Sequence, residues 1–328
     1  MEDRKFHQKR VLITGGLGFI GSNLARRLVG LGAKVTLVDN LIPEYGGNLF
    51  NVAGIENRVQ VNISDVRDAR SMRDLMQGQD YLFNLAGQTS HLDSMQDPFT
   101  DLEVNCRAQL SILEVCRRFN PKIKIVFAST RQIYGKPEYL PVDEKHLLRP
   151  VDVNGINKMA GEWYHILYNN VYGIRACALR LTNTYGPRMR VKDARQTFLG
   201  LWIRLLVENN PFEVWEGHQL RDFTFVDDAV DAFLLAAANE ESNGHIFNLG
   251  DDNVVSLKDL ADLLIKINGN GNYVIKSFPM ERKQIDIGDY YADYSLIHSK
   301  LGWKPKIPLQ EGLAITYAFY REHLEHYL

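Results

Sequence analysis

The first 130 residues alternate short apolar runs with amphipathic segments, a pattern typical of strands that are each followed by a helix. Arg10–Thr14 and Lys34–Asp39 read as buried strands, and the residues between them put apolar side chains on one helix face. Further strands are predicted at 59–61, 81–85 and 123–128, with helices around 69–76 and 102–119. This alternation favours parallel βαβ units in a doubly wound sheet.

The pattern loosens after a long helical segment that follows residue 154 and a strand at 176–181. Short strands are predicted near 212–214, 223–226 and 245–249, and helices near 226–238 and 257–267. We therefore expect an α/β fold: a doubly wound, Rossmann-type parallel sheet with a smaller mixed α/β C-terminal substrate lobe. Residues 1–182 would form the dinucleotide-binding domain, with 226–250 returning to it, and 183–225 and 251–328 would form the second lobe.

Composition narrows the class of protein without changing this fold. The 328 residues are 45% hydrophobic and 24% charged, with a net charge of -2, so neither nucleic acid nor a membrane is the expected partner. The polar start MEDRKFHQKR and the lack of a long apolar run predict a cytoplasmic protein. No metal or disulfide is expected, since the histidines form no His-x-x-x-His pair and the cysteines no Cys-x-x-Cys pair, the cysteines being Cys106, Cys116 and Cys177.

The stretch TGGLGFIG between the first strand and helix predicts a dinucleotide site. Gly15 permits the tight turn, Gly18 lets backbone approach a pyrophosphate, and Gly21 lets helix pack on strand. Asp39 ends the second strand, where a carboxylate accepts hydrogen bonds from the adenosine ribose. Because a carboxylate there repels a 2′-phosphate, the sequence favours NAD over NADP.

Several stretches together carry a family resemblance. Besides the Gly-x-x-Gly-x-x-Gly turn, they are SDVRD (64–68), NLAGQTS (84–90), FASTRQIYG (127–135), LRLTNTYGPR (179–188), RDFTFVDD (221–228) and YADYSLIHSKLGWKP (291–305). From about residue 10 to 320 the chain resembles the extended branch of the short-chain dehydrogenase/reductase superfamily. That branch contains NAD-dependent nucleotide-sugar epimerases, dehydratases and reductases.

The resemblance implies a nucleotide-diphosphate sugar as substrate, NAD as cofactor, and a homodimer formed through helices at about 102–119 and 157–172. The implied cofactor contacts are Gly15, Gly18, Phe19, Ile20, Gly21, Asp39, Asn40, Asp65, Val66, Leu85, Ala86 and Lys158. The implied substrate contacts are His91, Arg131, Asn183, Arg221 and Arg282, among which Asn183 and Arg221 would hold the diphosphate.

One position departs from the family pattern. The branch normally has a Tyr-x-x-x-Lys pair, in which tyrosinate removes the proton from a sugar hydroxyl, lysine holds the nicotinamide ribose, and a Ser or Thr bridges to the sugar. Lys158 and Thr130 are present, but Asn154 replaces the tyrosine, and an amide does not titrate in this range. Thr130, a water held by Asn154, or the loop histidine His91 could handle the proton instead. Tyr164, on the far side of the helix, and Tyr134, a structural position of the motif, are weaker candidates.

The residues after Thr130 bear on the reaction. In the resembling 4,6-dehydratases Asp and Glu follow the threonine and act at C6 and C5, whereas this chain has Arg131 and Gln132. Neither side chain exchanges protons in this way, so a 4,6-dehydratase is not expected, and Gln132 also disfavours a sugar-acid decarboxylase. Arg131 could meet an anionic or hydroxyl-rich substrate, or simply a neighbouring carboxylate.

Three functions fit these residues. The first is an epimerase-like enzyme that transfers hydride at a ring carbon, C4 being the expected one. The second is a nucleotide-sugar dehydrogenase or keto-sugar reductase with net turnover of the cofactor. The third is a catalytically impaired protein that binds NAD and a nucleotide sugar, since a fold does not by itself guarantee chemistry.

Overall fold

The computed structural model describes residues 3–328, with the exception of the side chains of residues 3, 4, 43, 281 and 282. Its strands are, in chain order, β1 (Arg10–Thr14), β2 (Lys34–Asp39), β3 (Val59–Ile63), β4 (Tyr81–Asn84), β5 (Lys124–Thr130), β6 (Arg175–Leu181), β7 (Asn183–Tyr185), β8 (Phe212–Trp215), β9 (Leu220–Arg221), β10 (Phe223–Phe225), β11 (Ile246–Asn248), β12 (Val255–Ser256) and β13 (Tyr273–Lys276).

The α-helices lie before, between and after these strands. They are α1 (Asp3–Phe6), α2 (Phe19–Gly30), α3 (Ala69–Met76), α4 (His91–Gln96), α5 (Pro98–Leu102), α6 (Ala108–Phe119), α7 (Val153–Tyr172), α8 (Phe198–Val207), α9 (Val226–Ala238), α10 (Leu257–Asn268), α11 (Met280–Lys283), α12 (Ser295–Leu301) and α13 (Leu309–His323).

Seven parallel strands form the central sheet in the order β11-β6-β5-β4-β1-β2-β3. Chain order reverses on the two sides of β1, which pairs with β2 on one side and β4 on the other. A ligand crevice forms at the carboxyl ends of the strands at such a switch point. The predicted doubly wound, Rossmann-type sheet with a C-terminal lobe is confirmed.

Successive residues of β1 point to opposite faces of this sheet, as the pleat requires. Val11 and Ile13 belong to a buried cluster with Leu24 of α2 and Phe233 of α9, whereas Leu12 packs in a second cluster with Ile112 of α6. Each fully buried large apolar side chain contributes roughly 1.5–3 kcal/mol relative to exposure. Two helical layers therefore clamp the sheet and fix the position of its carboxyl edge.

The second lobe is built from three two-stranded sheets, β7 with β10, β9 with β12, and β8 with β13. Their apolar side chains pack with α8, α10 and α13 in one cluster that includes Trp202, Phe212, Leu260 and Leu313. None of the helices in the described part of the chain is long and apolar enough to cross a bilayer.

One predicted helix is not regular. The segment predicted as one helix at 102–119 contains a π-helical stretch, Glu103–Arg107, between α5 and α6. The wider turn accompanies the buried side chain of Asn105, whose Nδ2 donates to the backbone oxygen of Gln88 (2.9 Å) and to Asp101 Oδ2 (3.0 Å). Apolar periodicity carries no signal for such polar contacts.

Candidate functional site

The glycine turn brings three backbone segments into close approach. Gly15 has φ +66°, and a Cβ there would lie 3.1 Å from the backbone of Ala86 and Leu85. A Cβ on Gly21 would lie only 2.2 Å from the carbonyl oxygen of Gly15. Gly18 is the N-cap of α2 and gives no side-chain cap, so N–H groups at the start of the helix remain available to an anion. These residues fit the pyrophosphate of a dinucleotide.

Adding a methyl group at Gly21 is expected to damage both the fold and the cofactor site. Gly21→Ala should lower the free energy of unfolding by about 1–3 kcal/mol, because the turn or the helix must shift to relieve overpacking. The same shift should weaken NAD binding at least tenfold. Gly30→Ala, at the other end of α2, is the control, since a Cβ there meets nothing within 4 Å. Titration calorimetry with NAD and urea unfolding would measure both effects, and equal behaviour of the two variants would contradict the prediction.

Two carboxylates line the adenosine side of the site. Asp39 accepts hydrogen bonds from the backbone N–H groups of Leu17 (3.1 Å) and Leu41 (3.0 Å), and burial raises its pKa although these bonds oppose the shift. Asp65 is held by the guanidinium of Arg67 and by Asn40 Nδ2 (2.9 Å). The hydrogen bond from Arg67 lowers the pKa of Asp65 to about 2. Both groups can accept hydrogen bonds from a ribose or base.

A cavity of about 280 Å³ runs along the carboxyl edge of the sheet from this turn to the second lobe. Every residue predicted to contact the cofactor borders this cavity. So do Thr130, Asn154 and Lys158, the residues at the predicted catalytic positions. Three predicted substrate contacts, His91, Arg131 and Asn183, also border it. Residues of the second lobe complete the lining: Thr184, Met189, Gln196 and Thr197.

Lys158 is 6% exposed and lies on the wall of this cavity. Its Nζ donates to the backbone oxygen of Ala128 (3.1 Å) and lies 5.1 Å from the centre of the Phe127 ring. Burial lowers the pKa of Lys158 to about 8, while the charge of Asp101 acts in the opposite direction. A lysine in this setting can donate to a ribose hydroxyl and exists in both protonation states near neutral pH.

If Lys158 contacts the bound NAD, as predicted, its lowered pKa should make cofactor binding depend on pH. Lys158 is charged below about pH 8 and loses its proton as the pH rises through that value. We expect the affinity for NAD to fall above pH 8, since the neutral amine is a weaker partner for ribose and pyrophosphate. Asp101→Asn should move the fall to lower pH, because the charge of Asp101 raises the pKa of Lys158, whereas Asp74→Asn, on the exposed side of α3, should not. A pH-independent dissociation constant would contradict this role.

Asn154 does not occupy the space of a solvent-facing base. It is 2% exposed, and its Nδ2 donates to the backbone oxygen of Gln88 (2.8 Å) and to Asp101 Oδ2 (3.0 Å). Asp101 is fully buried and also accepts from Asn105 Nδ2 (3.0 Å) and Asn157 Nδ2 (2.8 Å). Both N–H bonds of the Asn154 amide are thus used within the protein, and only its carbonyl oxygen is left for a ligand or water.

His91 lies at the start of α4 beside a buried carboxylate. Its Nδ1 is 2.9 Å from Asp152 Oδ2, within ion-pair distance, although the ring is not turned into hydrogen-bond alignment. Asp152 caps α7 by accepting from the backbone N–H of Gly155 (2.6 Å), and it accepts from Gln132 Nε2 (2.9 Å). Burial acts to raise the pKa of Asp152, but His91, Gly155 and Gln132 hold it below its ordinary value. The backbone N–H of Gln132 in turn donates to Thr130 Oγ1 (3.2 Å).

The predicted substrate arginines differ in position. Arg131 borders the cavity and donates through one terminal nitrogen to Asn183 Oδ1 (2.8 Å). Arg221 does not border it. One terminal nitrogen of Arg221 donates to the backbone oxygens of Leu220 and Gly288, and another lies 3.6 Å from Asp286 Oδ1. Arg282 belongs to α11, but its side chain lies outside the described part of the structure.

Sequence reasoning assigned no role to Asp101, Asp152 or Gln88. Asp152 carried a signal, because an Asp just before a predicted helix is a common N-cap. Asp101 and Asn105 have the spacing of helix neighbours, which marks an interaction but not its partner on another helix. The contacts between α4, α5 and α7 that unite these side chains are visible only in the folded chain.

The site combines a dinucleotide crevice, a buried lysine and a strand-end threonine. A family model described as "NAD dependent epimerase/dehydratase family" matches residues 11–250. The chain belongs to the NAD-dependent epimerase/dehydratase family. The predicted family and its cofactor, NAD, are thereby confirmed.

Relatives in this family catalyse different reactions. A Methanocaldococcus jannaschii protein provisionally named UDP-glucose 4-epimerase is 33% identical over 304 residues, 92% of this chain and 95% of that protein. The dTDP-glucose 4,6-dehydratase of Streptomyces griseus is 30% identical over 321 residues, 95% of this chain and 94% of that enzyme. The solved structure of Thermotoga maritima UDP-glucose 4-epimerase with UDP-glucose has a TM-score of 0.88 at 29% identity, covering 96% of this chain and 99% of that one. The reaction must therefore be argued from this chain's own side chains.

Proposed function

We propose that this protein is an NAD-dependent epimerase of nucleotide-diphosphate sugars, which oxidises one ring carbon, C4 by the family resemblance, and then reduces it from the other face. The observation that carries the proposal is the convergence of Lys158, Thr130 and the His91–Asp152 pair on one cavity beside the glycine turn. A protein that had kept only binding would have no need of a titratable pair there.

The cofactor site supplies binding and orientation. When bound, NAD supplies the acceptor and later the donor of the hydride. The N-terminus of α2 would hold its pyrophosphate, Asp39 its adenosine ribose, and Lys158 its nicotinamide ribose. Thr130 Oγ1, at the end of β5, would accept or donate a hydrogen bond at the sugar oxygen that reacts.

The proton requires a base other than Asn154. His91 borders the cavity, and the carboxylate of Asp152 lies beside its Nδ1, which favours the tautomer with the proton on that nitrogen. His91 Nε2 would then remove the proton from the sugar hydroxyl, directly or through a water, and return it after reduction. Asn154 is a positioning residue, since its amide ties the loop at Gln88 to Asp101.

Dehydration is disfavoured by two side chains. Gln132 is bonded to Asp152 and cannot remove a proton from carbon, and Arg131 cannot deliver one to a leaving hydroxyl. Because a 4,6-dehydratase is among the relatives, the case against dehydration rests on these two residues.

The function can be tested with the NAD-loaded protein. Candidate nucleotide sugars would be added while reduced-nicotinamide absorbance is followed, and products would be separated by chromatography. Epimerisation predicts a new sugar isomer with no lasting rise in absorbance. A lasting rise would indicate a dehydrogenase or reductase, and tight binding without a product would indicate the binding protein. Lys158→Met is the matched inactive control.

We also propose a homodimer, because α7 exposes an apolar stripe. Ile156, Trp163, Leu167 and Val171 are about 50–60% exposed and recur at helical spacing. Phe99, on the adjoining α5, is 76% exposed. Trp163→Glu should convert a dimer to monomers in sedimentation experiments, since burying an unpaired charge is costly. Met280→Glu, at a more exposed apolar site on α11, should not, and a wild-type monomer would refute the proposal.

A further inference from the structure

The guanidinium of Arg131 lacks a charged partner. One terminal nitrogen donates to Asn183 Oδ1 (2.8 Å), and the group lies 5.2 Å from the centre of the Tyr290 ring. The other terminal nitrogen is sealed from solvent and has no hydrogen-bond partner among the described residues. No carboxylate in the described part of the chain lies within ion-pair distance of Arg131, whereas Asp286 lies 3.6 Å from a terminal nitrogen of Arg221.

Asp222 and Asp286 act on the charge of Arg131 without forming an ion pair with it. Asp222 uses Oδ2 to accept from the backbone N–H of Ala292 (3.1 Å), while its Oδ1 is buried without a partner. Burial raises the pKa of Asp222 to about 7, so the group is partly protonated at neutral pH. Leaving a buried cation unpaired is unfavourable, and an anionic ligand would relieve that cost.

The two predicted substrate arginines differ in their relation to the cavity. Arg131 directly follows Thr130 and borders the cavity with Lys158, whereas Arg221 does not border it and is bonded to backbone oxygens. If the sugar faces Thr130, as the proposed function requires, the adjacent Arg131 would lie beside the sugar. Because Arg131 also donates to Asn183, a predicted diphosphate contact, the diphosphate is the competing ligand for its charge.

We propose that Arg131 binds a carboxylate on the sugar, so that the substrate is a nucleotide-diphosphate sugar acid. A guanidinium presents two parallel N–H groups that match a carboxylate, and one terminal nitrogen of Arg131 makes no hydrogen bond among the described residues. A neutral hydroxymethyl group could accept one hydrogen bond but would leave the buried charge uncompensated. This inference rests on the proposed function, because it takes the orientation of the sugar from it.

The test compares an acid with its neutral counterpart on the NAD-loaded protein. UDP, dTDP, CDP and GDP are first titrated. The nucleoside diphosphate that binds best is then compared in two forms, one linked to glucuronic acid through C1 and one linked to glucose through C1. The wild type should bind the acid about 10–100-fold more tightly, the range expected for a hydrogen bond to a charged group. Arg131→Gln should abolish this preference, and Arg131→Lys should keep part of it.

The outcomes separate the two proposals. Equal wild-type affinity for acid and neutral sugar overturns the sugar-acid proposal, and this measurement stands even if a variant fails to fold. The proposal is also overturned if Arg131→Gln lowers the affinity for the nucleoside diphosphate as much as the affinity for the sugar acid. Arg131 would then be a diphosphate contact. Failure of all four nucleotides to bind, with NAD still bound, would sink the proposed function and this inference with it. Arg118→Gln, exposed on α6, controls for the change in net charge.

Discussion

Replacing His91 by glutamine is expected to lower kcat by about 10²–10⁴-fold, the usual contribution of a general base. Glutamine can still form hydrogen bonds but cannot take up a proton near neutral pH. The dissociation constant for NAD should change little, because none of the contacts inferred for the cofactor involves His91. Rates with the natural sugar nucleotide, measured alongside NAD titrations, would separate the two effects.

The neighbouring carboxylate provides a matched control. Asp152→Asn can keep the cap on Gly155 through its remaining oxygen, and its Nδ2 can donate to Gln132 Oε1 once the Gln132 amide turns over. The charge beside His91 is removed. We expect a smaller loss of kcat than in His91→Gln, because the imidazolium formed during proton transfer would lose its stabilising partner. A merely structural role for Asp152 would lower stability without this loss of kcat. Full activity of the His91→Gln enzyme would contradict the role of His91 as the base. Thr130 or a water held by Asn154 would then be the group that handles the proton.

Replacing Asn154 by aspartate is expected to have the largest effect on stability. The introduced carboxyl would lie about 3 Å from Oδ2 of Asp101, where Asn154 now donates a hydrogen bond. Removing the favourable partner of a buried charge costs about 3–5 kcal/mol, and a like charge adds repulsion. Urea unfolding at neutral pH would measure the loss.

The sign of the pH dependence gives a second check. The introduced carboxyl should have a raised pKa in the folded protein, so the folded state binds the extra proton more readily than the unfolded state. The loss of stability should therefore shrink as the pH falls from neutral. Asn170→Asp, exposed near the end of the same helix, should change stability by no more than about 0.5 kcal/mol at any pH. Similar losses in both variants would show that Asp101 does not depend on its amide donors.

The sequence predicted the features that depend on local motifs and on residue spacing within one segment of the chain. Thr130 and Lys158 follow from local motifs, and the turn at Gly15 from the glycine spacing that a dinucleotide imposes. The pairing of His91 with Asp152, and of Asn154 with Asp101, could not be predicted, because it depends on how α4 and α5 pack against α7. Arg221 shows the same limit: its motif predicts a substrate contact, which stays a prediction, while its bonds to the backbone oxygens of Leu220 and Gly288 carried no signal in the sequence. The role of Asn154 and the identity of the substrate remain predictions.

The short helix α5 carries both a buried carboxylate of the site and exposed apolar side chains of the proposed dimer surface. Its Asp101 is fully buried against Asn154, while Phe99 and Leu102, on either side of it, are exposed beside the stripe of α7. If two copies associate through that stripe, each subunit braces the carboxylate that orders its neighbour's catalytic helix. Turnover per subunit should then fall when the protein is diluted and recover when it is concentrated. Assays at nanomolar protein would therefore underestimate the turnover number of the dimer.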